Sequence, residues 1–367
     1  ATDMPPKGFP LAHIDMHTAE DIGLHKFDIL SQRGLGHIKS ALEIIYQNQG
    51  VQVNIREVEK FKKDPKIKEH LRTGHTIGAF YVESPAMRML LAKMKADTYL
   101  ELVAASSIIR PGVARSGMMR EYILRHISDE RRKTAHPVMA DIMPETYGIM
   151  VYQEDVIKVA HYFAGLSLAE ADVLRRGMSG KSRSKDEFQR VKDKFFENCK
   201  KLGREDKVAA EVWHQIESFA GYSFAKGHSA SFAVESYQSL YLKAYFPLEF
   251  MVGVINNFGG FYHTEFYVHE LRMNGADIQA PHLNESEYLT RIIGKTVFLG
   301  FIHMKYLEKA TVEKLLSERR ANGPFLGLAD FVARVEIGLE QLLILIRMTC
   351  FRFTGKTKQE LLWEAHF

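Results

Sequence analysis

Residues 171–181 read Ala-Asp-Val-Leu-Arg-Arg-Gly-Met-Ser-Gly-Lys, and this stretch joins a helical pattern to a glycine-rich loop. Arg175 and Arg176 therefore stand directly before a flexible backbone that can approach a ligand closely. Arginine binds phosphate through two parallel hydrogen bonds. The loop lacks the G-x-x-x-x-G-K-[ST] spacing of a Walker A motif. The local chemistry leaves two interpretations open, a phosphate-binding site and an ordinary helix end with solvated cations.

Outward from this stretch, the chain is predicted to be mainly α-helical with minor β structure. Residues 85–235 carry helical spacing that is interrupted by glycine and proline. Helices are also predicted over 36–49 and from Asp64-Pro65 onward. Nearly alternating apolar residues predict a buried strand over 22–30, and a short strand is predicted over 77–83. The remaining predicted elements are a helix over 235–251, short β-like runs within 252–300, and helices over 307–317 and 338–348.

The composition is that of an ordinary globular chain. Its 367 residues are 46% apolar and 26% charged, which excludes a disordered, collagen-like or disulfide-framework protein. The length suggests two or three domains. Cys199 and Cys350 lie far apart in sequence and indicate a reduced protein. Because we find neither a run of ~20 apolar residues nor a signal-peptide core, we expect a cytoplasmic location and no membrane partner.

Positive charge is concentrated in two windows of the sequence. Residues 110–133 contain seven basic and three acidic residues, and residues 175–207 contain twelve basic and six acidic ones, whereas the whole chain has a net charge of only +4. Clustered cations neutralise nucleic-acid phosphates and release counterions. The windows therefore favour a DNA-binding surface, with the following candidate residues: Arg110, Arg115, Lys181 and Arg183. The alternative is a solvated helical face with salt bridges between neighbours.

Residues 219–232 form a second constellation, in which small residues alternate with aromatic ones around one lysine and one histidine. Tyr222 offers a ring on which a base can stack, and Lys226 and His228 can pair with phosphate. The alternative is a tightly packed helix–turn–helix core with an incidental histidine.

Asp28, preceded by Lys26, is a third candidate. Two-metal phosphoryl transfer needs several carboxylates around ions ~3.5–4 Å apart, but the chain contains no Asp-x-Asp pair. It also lacks zinc-type His/Cys spacing and a G-x-S-x-G elbow. A single carboxylate at a strand end is commonly a surface residue. The residues alone therefore predict a DNA-compatible phosphate-binding surface beside an incomplete catalytic centre.

Taken together, these motifs make the chain resemble the alpha subunit of bacterial DNA polymerase III, the family C replicative polymerases. The motifs occur in the family's order and are Lys26-Phe27-Asp28 (third palm motif), Thr76 to Ser84 (G-x-F-x-x-E-S of the fingers), Arg110-Pro111-Gly112 (R-P-G), Tyr147 to Glu154 (Y-G-I-x-x-Y-Q-E), Ala171 to Met178 (A-D-x-L-R-R-x-M) and Phe219 to Ser229 (F-A-G-Y-x-F-x-K-x-H-S). The resemblance covers about residues 22–250 and is weaker beyond 300.

The resemblance implies a nucleotidyltransferase palm, a helical fingers domain and a helix–hairpin–helix region that holds duplex DNA. Carried onto this chain, the divisions are residues 1–30 for the end of the palm, 31–255 for the fingers, 256–300 for a small mixed connector and 301–367 for a helix–hairpin–helix-like region. The implied fold is therefore a helical fingers domain followed by a small α/β and helix–hairpin–helix region.

The resemblance also implies roles for the candidate residues. Asp28 would be the third metal-binding carboxylate, with Lys26 near the phosphates. Arg175 and Arg176, with Lys226, would bind the incoming dNTP. Tyr222 and His228 would line the nascent base pair. The implied cofactor of the complete enzyme is Mg²⁺, and the implied partners are primer–template DNA, dNTP, the sliding clamp and other replisome subunits.

Two departures from the family pattern leave alternatives open. The family's first two catalytic aspartates, in a P-D-x-D-x-D-F motif, do not occur here, so we expect a fragment that cannot polymerise DNA alone. Gly177 and Ser179 depart from the replicative A-M-G-K pattern, and residues 256–262 are similar to the accessory branch of the family. The alternatives are an accessory translesion polymerase and a non-catalytic DNA-binding module of polymerase ancestry.

Overall fold

The computed structural model describes residues 2–3, 8–25, 27, 29, 32–109, 117–178, 185–218 and 225–366. The chain divides into two compact units, Ala1–Gln32 and Arg33–Phe367. In the first unit, strands β1 (Thr2–Asp3) and β2 (Leu11–Ala12) pair in antiparallel orientation. They are followed by helix α1 (Met16–Asp21).

The strand predicted over 22–30 is wrong across the described residues of that segment. Ile22 and Leu24 follow α1 as turn and irregular backbone, and both side chains are more than half exposed. Alternating apolar residues predict a strand only where one face of it is buried. The described apolar side chains of this segment have no such face to bury.

The second unit is predominantly helical, which confirms the predicted fold class. Its α-helices, in chain order through the described ranges, are α2 (Arg33–Gln49), α3 (Val58–Phe61), α4 (Pro65–Thr73), α5 (Pro85–Met94), α6 (Tyr99–Ile108), α7 (Met118–Ile127), α8 (Pro137–Ile142), α9 (Gln153–Lys158), α10 (Leu168–Met178), α11 (Lys185–Lys201), α12 (Asp206–Ser218), α13 (Lys226–Tyr245), α14 (Pro247–Asn256), α15 (Thr264–Met273), α16 (Lys309–Asn322), α17 (Leu328–Val335), α18 (Leu339–Arg347) and α19 (Lys358–Glu364).

The β structure of this unit is a small three-stranded sheet. Its strands are β3 (Asp277–Gln279), β4 (Arg291–Ile293) and β5 (Thr296–Phe298). β5 lies in the centre, parallel to β3 and antiparallel to β4, and Val297 is paired with Ile278 on one side and Ile292 on the other. This confirms the β-like run predicted around residue 297.

Local sequence explains where several helices begin and end. Asp64 caps α4 by accepting hydrogen bonds from the backbone N–H groups of Lys66 and Ile67 at 2.9 and 3.1 Å. Pro65 occupies the first helical position, where its missing N–H costs nothing. Gly74 ends the helix with a φ of +67°, a conformation that glycine adopts readily. The helix predicted over 36–49 is confirmed as α2.

Helix α13 is the centre of the larger unit and packs against α2, α3, α4, α6 and α14. Tyr237 and Leu240 on this helix are fully buried. Its polar residues bond across these contacts, since the Ser229 and Ser107 hydroxyl oxygens lie 2.7 Å apart. The prediction placed helical structure up to residue 235 and a further helix over 235–251, whereas the structure has one helix from Lys226 to Tyr245 and starts the next at Pro247.

The strand predicted over 77–83 is wrong, because this segment forms consecutive turns. Gly78 and Tyr81 have φ values of +81° and +67°, which a β-strand cannot accommodate. The Glu83 carboxylate accepts a hydrogen bond from the Gly78 N–H at 2.8 Å. A buried side-chain acceptor thus satisfies a backbone donor that a strand would have paired with a neighbour.

Glu83 also fastens these turns to the segment after α14. Its carboxylate accepts hydrogen bonds from the Phe261 N–H at 2.6 Å and from the Tyr267 hydroxyl at 2.9 Å. Burial raises the pKa of Glu83 above its ordinary value, against the opposing effect of these donors. Burial also disfavours the charged form of Lys243 and therefore lowers its pKa. The Lys243 ammonium lies 3.3 Å from the Glu270 carboxylate. Glu83 and its three donors, Gly78, Phe261 and Tyr267, form a buried polar network that we call the Glu83 latch. Each buried donor and acceptor in it needs a partner.

Cys199 and Cys350 are both buried free thiols. Over the part of the chain that the structure describes, no helix has the length and apolar character needed to cross a bilayer.

We predict that Gly260→Ala destabilises the protein through this latch. Gly260 has a φ of +105°, and an added Cβ would overlap the Tyr267 hydroxyl and lie 2.7 Å from the Glu83 carboxylate. Relative to Gly275→Ala, the unfolding free energy should fall by about 1–3 kcal/mol more, which is the usual cost of overpacking. Urea unfolding followed by circular dichroism measures the difference.

Gly275 is the matched control because its φ is also positive, +87°, while no atom lies within 4 Å of the added Cβ. Gly275→Ala therefore reports the backbone strain alone, about 1–2 kcal/mol. Equal destabilisation by the two substitutions would contradict the latch.

Candidate nucleotide-binding site

Helix α10 holds Arg175 and Arg176 on one carboxylate. The Arg175 Nε donates a hydrogen bond to Asp172 Oδ1 at 2.8 Å, and the Arg176 Nε lies 3.0 Å from Asp172 Oδ2. Residues three and four positions apart are neighbours on a helix surface, so Asp172 reaches both side chains. The Arg175 side chain is 28% exposed and that of Arg176 is 54% exposed. Two guanidinium groups are thus held together at a surface that water reaches.

Buried residues of α10 anchor this pair to the core. Ala171 and Leu174 are fully buried. An added Cβ on Gly177 would overlap the ring of Phe188 from α11. The glycine at position 177, one of the departures from the family pattern, therefore has a packing reason in this chain.

Two consecutive residues at the start of α9 connect α10 to α13. The Gln153 side-chain oxygen accepts a hydrogen bond from the Arg175 Nη1 at 3.1 Å. Both carboxylate oxygens of Glu154 face the backbone N–H of Lys226, at 3.2 and 3.1 Å. Ala225, the N-cap residue of α13, has no side chain that could accept this bond. Glu154 therefore caps α13 from another helix.

Lys226 lies among acidic and aromatic groups. Its ammonium forms an ion pair with Glu145, which belongs to the 3₁₀ turn Pro144–Thr146. The same nitrogen lies 5.5 Å from the centre of the Tyr152 ring, and burial raises the pKa of Tyr152. These residues line a cavity of ≈ 140 Å³. Ligand pockets usually measure about 300–1,000 Å³, so the cavity can hold only part of a nucleotide.

His228, one of the predicted base-pair residues, is exposed near the start of α13. Its ring centre lies 3.9 Å from that of Phe232, and Phe232 makes edge-to-face contacts with Phe80 and Tyr81 at 5.1 and 5.0 Å. Aromatic contact therefore joins this histidine to the turns over residues 77–83.

The structure thus links three of the predicted residues into one network, namely Arg175, Arg176 and Lys226. His228 lies on the same helix as Lys226, but its ring contact is with Phe232. The other predicted site residues lie outside the described residues: Lys26, Asp28, Arg110, Arg115, Tyr222, Lys181 and Arg183. Within the described ranges, no group of three or more His, Cys, Asp or Glu side chains is arranged to hold a metal ion. The residues described here therefore do not form the Mg²⁺ site that the resemblance implies.

Two family models match this chain. The model for the bacterial DNA polymerase III alpha subunit finger domain matches residues 34–203, and a helix–hairpin–helix motif matches residues 275–361. The DNA polymerase III subunit alpha of Aquifex aeolicus is 32% identical over 352 residues, which cover 95% of this chain and 30% of that protein. The chain belongs to the bacterial DNA polymerase III alpha-subunit family. The predicted family is confirmed.

Other relatives show how much of the family's length is present. The DNA polymerase III subunit alpha of Thermus aquaticus is 32% identical over 90% of this chain and 27% of that protein. The error-prone DNA polymerase of Mycobacterium tuberculosis strain H37Rv is 31% identical over 94% of this chain and 31% of that protein. The chain therefore spans about 30% of the length of these curated relatives. Relatives named DNA polymerase III subunit alpha and a relative named error-prone DNA polymerase match it almost equally.

The prediction missed the residues that position the cations, although three of them lie inside family motifs. Gln153 and Glu154 end the Y-G-I-x-x-Y-Q-E motif, and Asp172 is the second residue of A-D-x-L-R-R-x-M. Asp172 carries a detectable sequence signal. It lies three residues before Arg175 and four before Arg176, and residues at these spacings are neighbours on a helix. Glu145 carries no such local signal because its partner, Lys226, is 81 residues away.

We predict that Glu154→Ala lowers the unfolding free energy of the protein by about 1 kcal/mol, the usual cost of losing an N-cap. The physical reason is that the Lys226 N–H loses its carboxylate acceptor at the start of α13. Guanidinium unfolding followed by circular dichroism measures the change. Glu154→Gln keeps an acceptor oxygen and should lose less than half as much. If Ala and Gln gave the same loss, the capping role would be wrong.

Proposed function

We propose that this chain is the nucleotide-binding and DNA-binding segment of a DNA-directed DNA polymerase that acts in DNA replication. The observation that carries the proposal is the Asp172-held pair, Arg175 and Arg176, which Gln153 and Glu154 connect to Lys226. Paired guanidinium groups suit the oxygens of a triphosphate, since each presents several donors in a planar fork. The names of the relatives support the reaction class.

In the proposed reaction, the primer 3′-hydroxyl oxygen attacks the α-phosphorus of the incoming dNTP. A new phosphodiester bond forms, the bond to the bridging oxygen of the β-phosphate breaks, and pyrophosphate leaves. Arg176 and Arg175 would stabilise negative charge on the departing phosphates. His228 would lie beside the nascent base pair, with Tyr222 as its proposed partner. Lys226 would contribute a further cation once a phosphate displaces Glu145.

The metal and the remaining site residues stay within this proposal. Asp28 would be one carboxylate ligand of Mg²⁺ in the complete polymerase, with Lys26 near the phosphates. Because the described residues contain no carboxylate cluster, we assign no step to the metal. Four cations would contact DNA phosphates, namely Arg110, Arg115, Lys181 and Arg183.

The proposed domain divisions are 1–30 for the palm end, 31–255 for the fingers, 256–300 for the connector and 301–367 for the helix–hairpin–helix-like region. The matched ranges 34–203 and 275–361 support the fingers and the duplex-binding region. Primer–template DNA is the partner that these regions favour. From membership of the alpha-subunit family, we also propose a cytoplasmic location and contacts of the complete protein with a sliding clamp and other replisome subunits.

A translesion role is the second candidate. It is favoured by the 31% identity to the error-prone polymerase of Mycobacterium tuberculosis and by the sequence of residues 256–262. Extension of a primer past an abasic site by the complete polymerase separates the two roles, because a strictly replicative member stalls there. Finding a P-D-x-D-x-D-F motif in the complete protein would favour both polymerase roles, replicative and translesion, over a non-catalytic DNA-binding module.

We predict that Arg176→Ala in the complete polymerase raises the dNTP KM, or lowers kcat, about tenfold or more because triphosphate contacts are lost. Single-nucleotide incorporation under steady-state conditions measures both constants. Arg190→Ala is the control, since it removes an exposed cation from the same basic window outside the arginine pair. Unchanged kinetics for Arg176→Ala would refute the nucleotide site.

We also predict that this chain binds primer–template DNA with a strong dependence on salt. Each neutralised phosphate releases counterions, so log K should fall linearly with log[salt] by about 0.9 per phosphate contact. Fluorescence anisotropy of labelled duplex between about 50 and about 200 mM salt measures this slope. A flat response would rule out a phosphate-binding surface.

A further inference from the structure

We propose that Asp172 is a positioning residue for the nucleotide: it fixes the relative orientation of Arg175 and Arg176 before the triphosphate arrives. This inference rests on the proposed function, because it assumes that the arginine pair binds phosphate. Asp172 itself touches no substrate in this proposal and acts only through the two guanidinium groups.

The geometry of the three side chains supports this role. Asp172 contacts both arginines through Nε, at 2.8 and 3.0 Å, with one carboxylate oxygen for each. A guanidinium that bonds through Nε directs its Nη1/Nη2 edge away from that carboxylate, and such an edge can donate two hydrogen bonds to an anion. In Arg175, Nη1 also donates to Gln153, so this argument applies to Arg176. The Arg176 side chain is 54% exposed, so that edge is accessible to a ligand from solution.

Gln153 supplies a second restraint on Arg175. Its side-chain oxygen accepts from Nη1 at 3.1 Å, while Asp172 holds Nε. Arg175 is therefore held at two points by two different helices, and Arg176 is held against it by the shared carboxylate. Because Gln153 is uncharged, this restraint orients the guanidinium without neutralising it.

Asp172 has an alternative role as a competitor that occupies the arginines and weakens phosphate binding. The two roles predict opposite effects of removing the carboxylate charge. The side chains are 28–54% exposed, so water and salt screen the electrostatic cost of Asp172. Screening does not reduce the entropic benefit of alignment. Free arginine side chains lose rotamer entropy when they bind a ligand, and a prealigned pair loses less. The entropic benefit therefore outweighs the screened electrostatic cost, which favours the positioning role of Asp172.

Helix α10 also offers a matched control, Glu170. Its carboxylate accepts hydrogen bonds from Lys194 at 2.6 Å and from the Ser167 hydroxyl at 2.8 Å. These donors lower the pKa of Glu170 to about 2, so the group is ionised at neutral pH. Glu170→Gln therefore removes the same unit charge from the same helix without touching the arginine pair.

The test compares Asp172→Asn, Asp172→Glu, Glu170→Gln and Arg176→Ala in the complete polymerase by single-nucleotide incorporation. We expect Asp172→Asn to raise the dNTP KM about tenfold with a smaller change in kcat, and Glu170→Gln to stay within about twofold. Asp172→Glu restores a carboxylate and should recover part of the loss. Active-site titration accompanies each assay, because partial misfolding lowers the active fraction and the apparent kcat but leaves KM unchanged.

The outcomes separate this inference from the proposed function. If Arg176→Ala raises KM while Asp172→Asn leaves it unchanged, the positioning role is wrong and the nucleotide site stands. If Asp172→Asn lowers KM, Asp172 is a competitor and the inference is overturned. If Arg176→Ala changes neither constant, the nucleotide site itself fails, and the positioning role fails with it.

Discussion

The candidate site depends on the junction where Gln153 and Glu154 bind two elements that are distant in sequence. Gln153 accepts from Arg175 at 3.1 Å, and Glu154 accepts from the Lys226 N–H at 3.1 and 3.2 Å. No other polar contact named above connects α10 to the start of α13. Without this junction, the cations would still lie on their own helices, but no polar contact named above would connect the arginine pair to Lys226.

Arg175, Arg176 and Lys226 are each paired with a carboxylate. Asp172 holds both arginines, and Glu145 holds Lys226. Such pairs at a surface contribute little to stability, because water and salt screen the charges. Their value lies in geometry: they keep long, flexible side chains ordered at a place where an incoming polyanion can replace one partner with another.

The Glu83 latch shows how a residue of a family motif stabilises the fold. Glu83 belongs to the segment that resembles G-x-F-x-x-E-S, yet it is buried and accepts hydrogen bonds from Gly78, Phe261 and Tyr267. The same turns place Phe80 and Tyr81 against Phe232, which directly precedes the buried Ala233 on α13. A structural carboxylate thus supports the aromatic contacts that reach His228.

The sequence alone determined the family, the helical class and the local helix signals. Asp64, Pro65 and Gly74 specify α4 because caps and helical hydrogen bonds join residues only a few positions apart. The paired arginines were likewise visible, since they are adjacent. Only the tertiary structure decided which residues these cations meet, because Arg175 bonds 22 residues away and the Lys226 N–H bonds 72 residues away. It also decided that residues 77–83 form turns, because the Glu83 partners Phe261 and Tyr267 lie 178 and 184 residues further along the chain. Local patterns encode local hydrogen bonds, whereas packing of distant helices selects the partners that build a site.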